Sequence, residues 1–211
     1  MKIALYGATG MIGSSILREA LSRGHQVTAI VRDTSKLTPT DGLTIVKGDV
    51  LDTAGVTATI KGHDAVIAAV NNPPGDLQFY PRAALSLINA LTQAGVKRLI
   101  VVGGAGSLEV APGLKLFDTP DFPEAWRPGA KSLGAALEVY RAAAGELEWT
   151  FISPAIMIAP SERTGSYRTG GDQVLFDEKG QSNISAEDYA VALIDELEHP
   201  QSIRRRMTAA Y

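Results

Sequence analysis

Short, nearly continuous apolar runs alternate with longer amphipathic segments along this chain. The runs are Ile3–Tyr6, Gln26–Val31, Leu43–Lys47, Ala65–Ala69, Leu99–Val102 and Trp149–Ile152, and they are rich in Val, Ile, Leu and Ala. Such runs suit parallel strands covered on both faces. The segments between them predict helices over Met11–Arg23, Ala54–Lys61, Pro81–Gln93 and Pro128–Ala144. This β-α-β-α order implies an α/β fold with a doubly wound parallel sheet. A last helix is expected over Ala186–His199, where Ser185 and Asp188 stand at capping-box spacing with Asp in place of Glu. A final strand follows near Arg206–Ala210.

Two stretches break the rhythm. Gly106–Ala125 contains Pro112, Pro120 and Pro123, and Ala159–Gly180 is rich in Gly, Arg and Thr. Loops of that length inside a compact domain are usually either functional lids or disordered. No internal repeat is visible, and 211 residues are enough for one domain with a substantial core. The expected organisation is therefore a single domain, with residues 1–153 as the nucleotide-binding core and 154–211 as a small substrate-side lobe with the last helix.

Bulk chemistry excludes several functions. Net charge is −3, and the Arg204-Arg205-Arg206 run is too short to mark a nucleic-acid surface. There is no cysteine, hence no disulfide and no thiolate catalysis. His25, His63 and His199 are not at metal-ligand spacing, so no metal is expected. No Gly-x-Ser-x-Gly elbow is present. No run approaches the ~18 apolar residues of a membrane span, and Met1–Tyr6 passes straight into a glycine turn rather than a signal peptide. The expected location is cytoplasmic.

The first strand runs into Gly7-Ala8-Thr9-Gly10-Met11-Ile12-Gly13 and then a helix. Here the first glycine turns the chain, the second lets backbone approach a pyrophosphate, and the third lets helix and strand pack closely. The helix N-terminus favours the anion. This is a Rossmann-type signature, and it predicts a nicotinamide dinucleotide. The second strand ends Val31-Arg32-Asp33. Arginine at the strand tip suits the 2′-phosphate of NADP, and Asp33 keeps NAD open.

Gly7–Gly13, Arg32 and Gly48-Asp49-Val50 resemble the atypical, NmrA-like short-chain dehydrogenase/reductases. Val101–Leu108, Trp149–Ala155, Glu162–Gly165 and Gly170–Gln173 are similar to bacterial NADH-flavin reductase-like proteins, relatives of the flavin reductase/biliverdin reductase B group. The resemblance covers essentially the whole chain. It implies that Thr9, Gly10, Met11 and Ile12 wrap the pyrophosphate, that Arg32 faces the 2′-phosphate, and that Asp49 and Val50 border the adenine. It further implies Ala69 and Val70 beside the ribose, Gly104, Ala105 and Ser107 near the nicotinamide, and Ser153, Pro154 and Ala155 along its ring. Asp49 alternatively caps its own Gly-Asp turn.

Most short-chain dehydrogenases carry a Tyr-x-x-x-Lys pair on the helix after the fifth strand. In NmrA-like chains the lysine lies four residues before a Glu, here Glu138. Counting back puts Gly134 at the lysine position and Ala130 at the tyrosine position. Lys131 is one residue off, about 100° around a helix. Ketone reduction builds an alkoxide that needs a positioned donor, whereas a flavin or quinone ring delocalises the charge and can take its proton from water. The expected function is thus an NAD(P)H-dependent reductase of a flavin or quinone-like acceptor. The alternative is a non-catalytic dinucleotide sensor of the NmrA-like type.

Ser107 is the candidate catalytic donor and also a substrate contact. Leu114, Leu116, Phe117, Phe122 and Trp126 either wall the acceptor pocket or anchor their loop. Phe117, Arg163 and Tyr167 are candidate substrate residues, and Arg163 or Arg168 could meet a flavin phosphate unless paired with Glu162 or Asp172. The partner is a small acceptor molecule, with no nucleic acid and no membrane, and the oligomeric state is left open.

Overall fold

The computed structural model describes residues 1–143 and 145–211. Along its first half run β1 (Lys2–Tyr6), α1 (Met11–Ser22), β2 (Gln26–Val31), β3 (Leu43–Lys47), α2 (Thr53–Ile60), β4 (Ala65–Ala68), α3 (Phe79–Ala94) and β5 (Arg98–Val102). The second half adds β6 (Glu109–Ala111), β7 (Leu114–Lys115), α4 (Arg127–Ala142), β8 (Glu148–Pro154), β9 (Met157–Ala159), β10 (Arg168–Gly170), β11 (Asn183–Ser185), α5 (Ala186–Glu198) and β12 (Arg205–Ala210).

Eight strands form one sheet in the order β10-β12-β8-β5-β4-β1-β2-β3, and all its pairings are parallel except β10 with β12. Side chains alternate between the two faces. Ile3, Leu5, Ile67 and Ile152 pack with Ile16 of α1 and Tyr189 and Leu193 of α5. Ala4, Tyr6, Val66 and Phe151 pack with Val56, Leu87 and Leu137 of α2, α3 and α4. Both layers bury the sheet, which is why its strands read as continuous apolar runs. No helix among the described residues is long and apolar enough to cross a membrane.

Local chemistry sets the helix ends. Ser185 Oγ accepts from Asp188 N–H at 2.9 Å, the expected N-cap of α5. Asp52 caps α2 by accepting from Gly55 N–H. Gly95 ends α3 at φ +71°, where its N–H bonds the carbonyls of Leu91 and Thr92. The expected end of α4 at Ala144 lies outside the described residues; the described helix runs to Ala142.

The two expected loops carry more structure than their sequences signal. Residues 106–125 hold a β6–β7 ribbon and short 3₁₀ turns, while β9 pairs with β11 in a separate two-stranded sheet. Residues after 153 share the main sheet. β12 lies between β8 and β10 in the main sheet, and α5 packs on α1.

At the N-terminal end of β5, the buried Arg98 donates to Thr150 Oγ1 at 2.8 Å and to the carboxylate of Glu196 at 3.0 Å. Glu196 also accepts from the backbone N–H groups of Gln201 and Ser202. This network ties β5, β8 and α5 together at the edge opposite the site.

Candidate functional site

The site lies along the carboxyl ends of the central strands, where an open α/β sheet binds its ligands. β1 ends in the glycine turn. Gly7 has φ +84°, and a Cβ there would sit 2.1 Å from the Ala69 carbonyl oxygen. A Cβ on Gly13 would sit 2.0 Å from the Gly7 carbonyl oxygen. Both positions therefore admit only glycine while β1, β4 and α1 keep this spacing. Gly10 is the N-cap of α1, with no side-chain cap and no acidic residue in the first turn. The helix presents uncapped N–H groups and its positive dipole end to the space above, which is the environment a phosphate bridge requires.

Three adjoining cavities of about 330, 400 and 660 Å³ run from this turn across the sheet edge. The first is lined by Gly7, Thr9, Arg32, Asp33, Lys36, Asp49, Val50 and Val70. Asp33 turns its carboxylate to Ser35, accepting from the backbone N–H at 3.1 Å and from Oγ at 2.7 Å. These bonds hold its pKa below the usual carboxylate range. Arg32 and Lys36 are the cations there. Asp49 accepts from Leu51 N–H at 2.9 Å and borders the first cavity, so forming its turn does not take it out of the lining.

The second cavity brings together Gly10, Met11, Ile12, Gly13, Ala69, Val70, Gly104, Ala105, Pro154 and Ala155. The third is bounded by Gly104, Ala105, Ser107, Leu116, Phe122, Trp126, Leu133 and Met157, together with Asn71 and Tyr80. Asn71 lines all three cavities, and Tyr80 lines the second and third. The Tyr80 hydroxyl donates to Asn71 Oδ1 at 2.7 Å, and burial pushes its pKa up. Ser107 is buried, and its carbonyl accepts from Arg206 Nη1 at 2.9 Å.

Ala130 also lines the third cavity, and a Cβ on Gly134 would come within 3.1 Å of Ser107 Cβ and 3.3 Å of the Phe117 ring. The space at Gly134 is thus already filled by Ser107 and Phe117.

Several expected site residues lie elsewhere. Ala8 is in the core under α1. Ser153 is fully buried, its Oγ without a hydrogen-bond partner, and only the following Pro154 and Ala155 reach a cavity. Phe117 is buried and outside the lining of the third cavity, with Lys115 and Lys131 each 5.6 Å from its ring centroid, so it anchors its loop while Leu116, Phe122 and Trp126 form the wall.

Arg163 and Tyr167 are corrected as substrate contacts. Arg163 makes two 2.8 Å bonds to Glu19 of α1, and the Tyr167 hydroxyl donates to Asp195 of α5. After β9 the chain crosses the α1/α5 face rather than the cavity mouth, and these side chains fasten it there. Arg168 bonds the carbonyls of Phe176 and Tyr211.

Asn71, Tyr80, Leu133 and Met157 were not expected from sequence. Asn71 follows the tip of β4, and Tyr80 sits in the first turn of α3. Their role depends on which strand tips and helix starts converge, and no spacing motif records that.

A doubly wound sheet with a glycine cradle and an uncapped helix end defines a dinucleotide-binding protein. The model of the family described as NAD(P)H-binding matches residues 7–200, and the chain belongs to that family. The resemblance to atypical short-chain dehydrogenase/reductases agrees with this. The cofactor is accordingly a nicotinamide dinucleotide.

The chain is 45% identical to YwnB, an uncharacterized protein of Bacillus subtilis, over 212 residues, covering 99% of this chain and 97% of that one. Among solved structures, a candidate epimerase from Bacteroides thetaiotaomicron has a TM-score of 0.93 at 45% identity, covering 100% of this chain and 96% of that one. A candidate NADH-flavin reductase from Streptococcus pneumoniae has a TM-score of 0.89 at 38% identity, covering 100% and 99%. Curated reductases of Zea mays and Oryza sativa are matched over only about a third of their own length.

Proposed function

We propose that the protein is an NADP(H)-dependent oxidoreductase that passes hydride to a flavin or quinone-like ring. The observation that carries this reading is the continuity of the cavities. A dinucleotide laid along the first two would end beside the third, which is largely apolar and is bordered by Ala130 on the helix where related enzymes hold a Tyr/Lys pair. The similarity to the Streptococcus pneumoniae protein supports the same class of reaction.

NADP is favoured over NAD because Arg32 and Lys36 line the adenosine end while Asp33 is occupied by Ser35. Gly7, Thr9 and Gly10–Gly13 would hold the pyrophosphate, and Pro154, Ala155, Gly104 and Ala105 would border the nicotinamide. When bound, NADPH would supply a hydride to the acceptor, and a proton from water would complete the reduction. The protein's part is orientation and exclusion of solvent, with the acceptor ring stacked between Leu133 and the loop wall. Ser107, in the 3₁₀ turn at residues 105–107, would donate to the acceptor.

NADPH oxidation with FMN, FAD, riboflavin and a quinone panel tests the reading, and turnover above background on at least one is expected. Cofactor binding with no oxidation by any of them overturns it and leaves the sensor.

A further inference from the structure

The charge of the third cavity narrows the acceptor class. Its mouth is ringed by apolar side chains held open to solvent: Leu77, Trp126 and Met157 are 47%, 64% and 59% exposed. Large apolar side chains clustered at an opening mark a surface that a flat hydrophobic ligand would cover. Among the described residues no arginine or lysine lines this cavity, and Asp121 is its one ionised side chain.

Of the cations nearby, Lys115 sits over the Phe117 ring and three others are held in ion pairs. Arg82 pairs with Asp76. Arg127 pairs with Glu124 and donates to the carbonyls of Phe117 and Phe122. Lys131 lies 3.6 Å from Asp118. A phosphate dianion would therefore meet a carboxylate with no cation to answer it, on a chain whose net charge is −3. The first turn of α4 borders the cavity, but Pro128 removes one of its N–H groups.

We infer that the acceptor is an uncharged planar ring system, a quinone or a flavin without its phosphate, and that phosphorylated flavins are disfavoured. This rests on the reductase reading and names its substrate class.

Fluorescence titration of riboflavin and FMN into NADP⁺-saturated protein tests it without requiring turnover. Riboflavin is expected to bind more tightly by about fivefold at low salt, the size of one partly screened charge contact. The gap narrows as salt rises. In Asp121→Lys the preference shifts toward FMN. FMN binding as tightly as riboflavin overturns the inference, and so does binding of neither flavin together with no binding of a neutral quinone. Riboflavin binding without NADPH oxidation, in the presence of a neutral quinone as well, removes the reductase reading but leaves the preference for uncharged rings standing.

Discussion

Arg32 tests cofactor choice at a single side chain. In Arg32→Ala, Lys36 remains but the guanidinium is gone from the adenosine end. NADPH affinity is expected to fall about tenfold or more, the range for a lost charge-assisted bond, while NADH affinity stays the same. Calorimetry with both cofactors checks this, and equal losses for the two would mean Arg32 shapes the cavity rather than reading the phosphate. The glycines could be read from sequence because the physics there tolerates so few alternatives: a Cβ at Gly13 has nowhere to go. Met157 and Trp126 could not, since an exposed apolar residue is ordinary until its neighbours are known. Arg163 misled for a related reason. A lone arginine after a strand reads alike whether it meets a ligand or, as here, Glu19.

Among the elements, the contact between β5 and α5 rests on Arg98 and Glu196. Burial lowers the Arg98 pKa, and the carboxylate of Glu196 works against that. Glu196→Ala leaves the guanidinium buried without its counter-charge, and a loss of about 3–5 kcal/mol is expected in urea unfolding. The segment crossing α1 and α5 is fastened differently, on the buried Asp188, which accepts from Thr164, Gly165 and Tyr211. Burial works against the ionised form of Asp188, but these hydrogen bonds outweigh it and hold the pKa below the usual range. A lowered carboxyl contributes stability above its unfolded pKa of about 3.9 and loses it as pH falls through the folded value. Urea midpoints should decline between about pH 5 and pH 3, and less steeply in Asp188→Asn; equal slopes would detach this segment from the acid response. The long strands were legible because both faces are buried. β6, β7, β9, β10 and β11 were not, because two or three residues are too few to show a period.

At the scale of the molecule, the cavities join distant parts of the chain, so occupancy should brace the whole fold. Ligand at about 100 times its Kd adds about 2.7 kcal/mol, which for a domain of this size is roughly 5–10 °C in Tm. Differential scanning calorimetry with NADPH is expected to show that rise, and an unchanged Tm would contradict binding along the trough. The sheet carries a consequence for biosynthesis too. β12 is inserted between β8 and β10, pairing with both. While a ribosome is still making residues up to about 200, β8 presents an open parallel edge that nothing yet made can close. Nascent chains stalled there should be the ones chaperones hold and proteases cut, and assembly of the sheet waits on the segment that leaves the exit tunnel after α5.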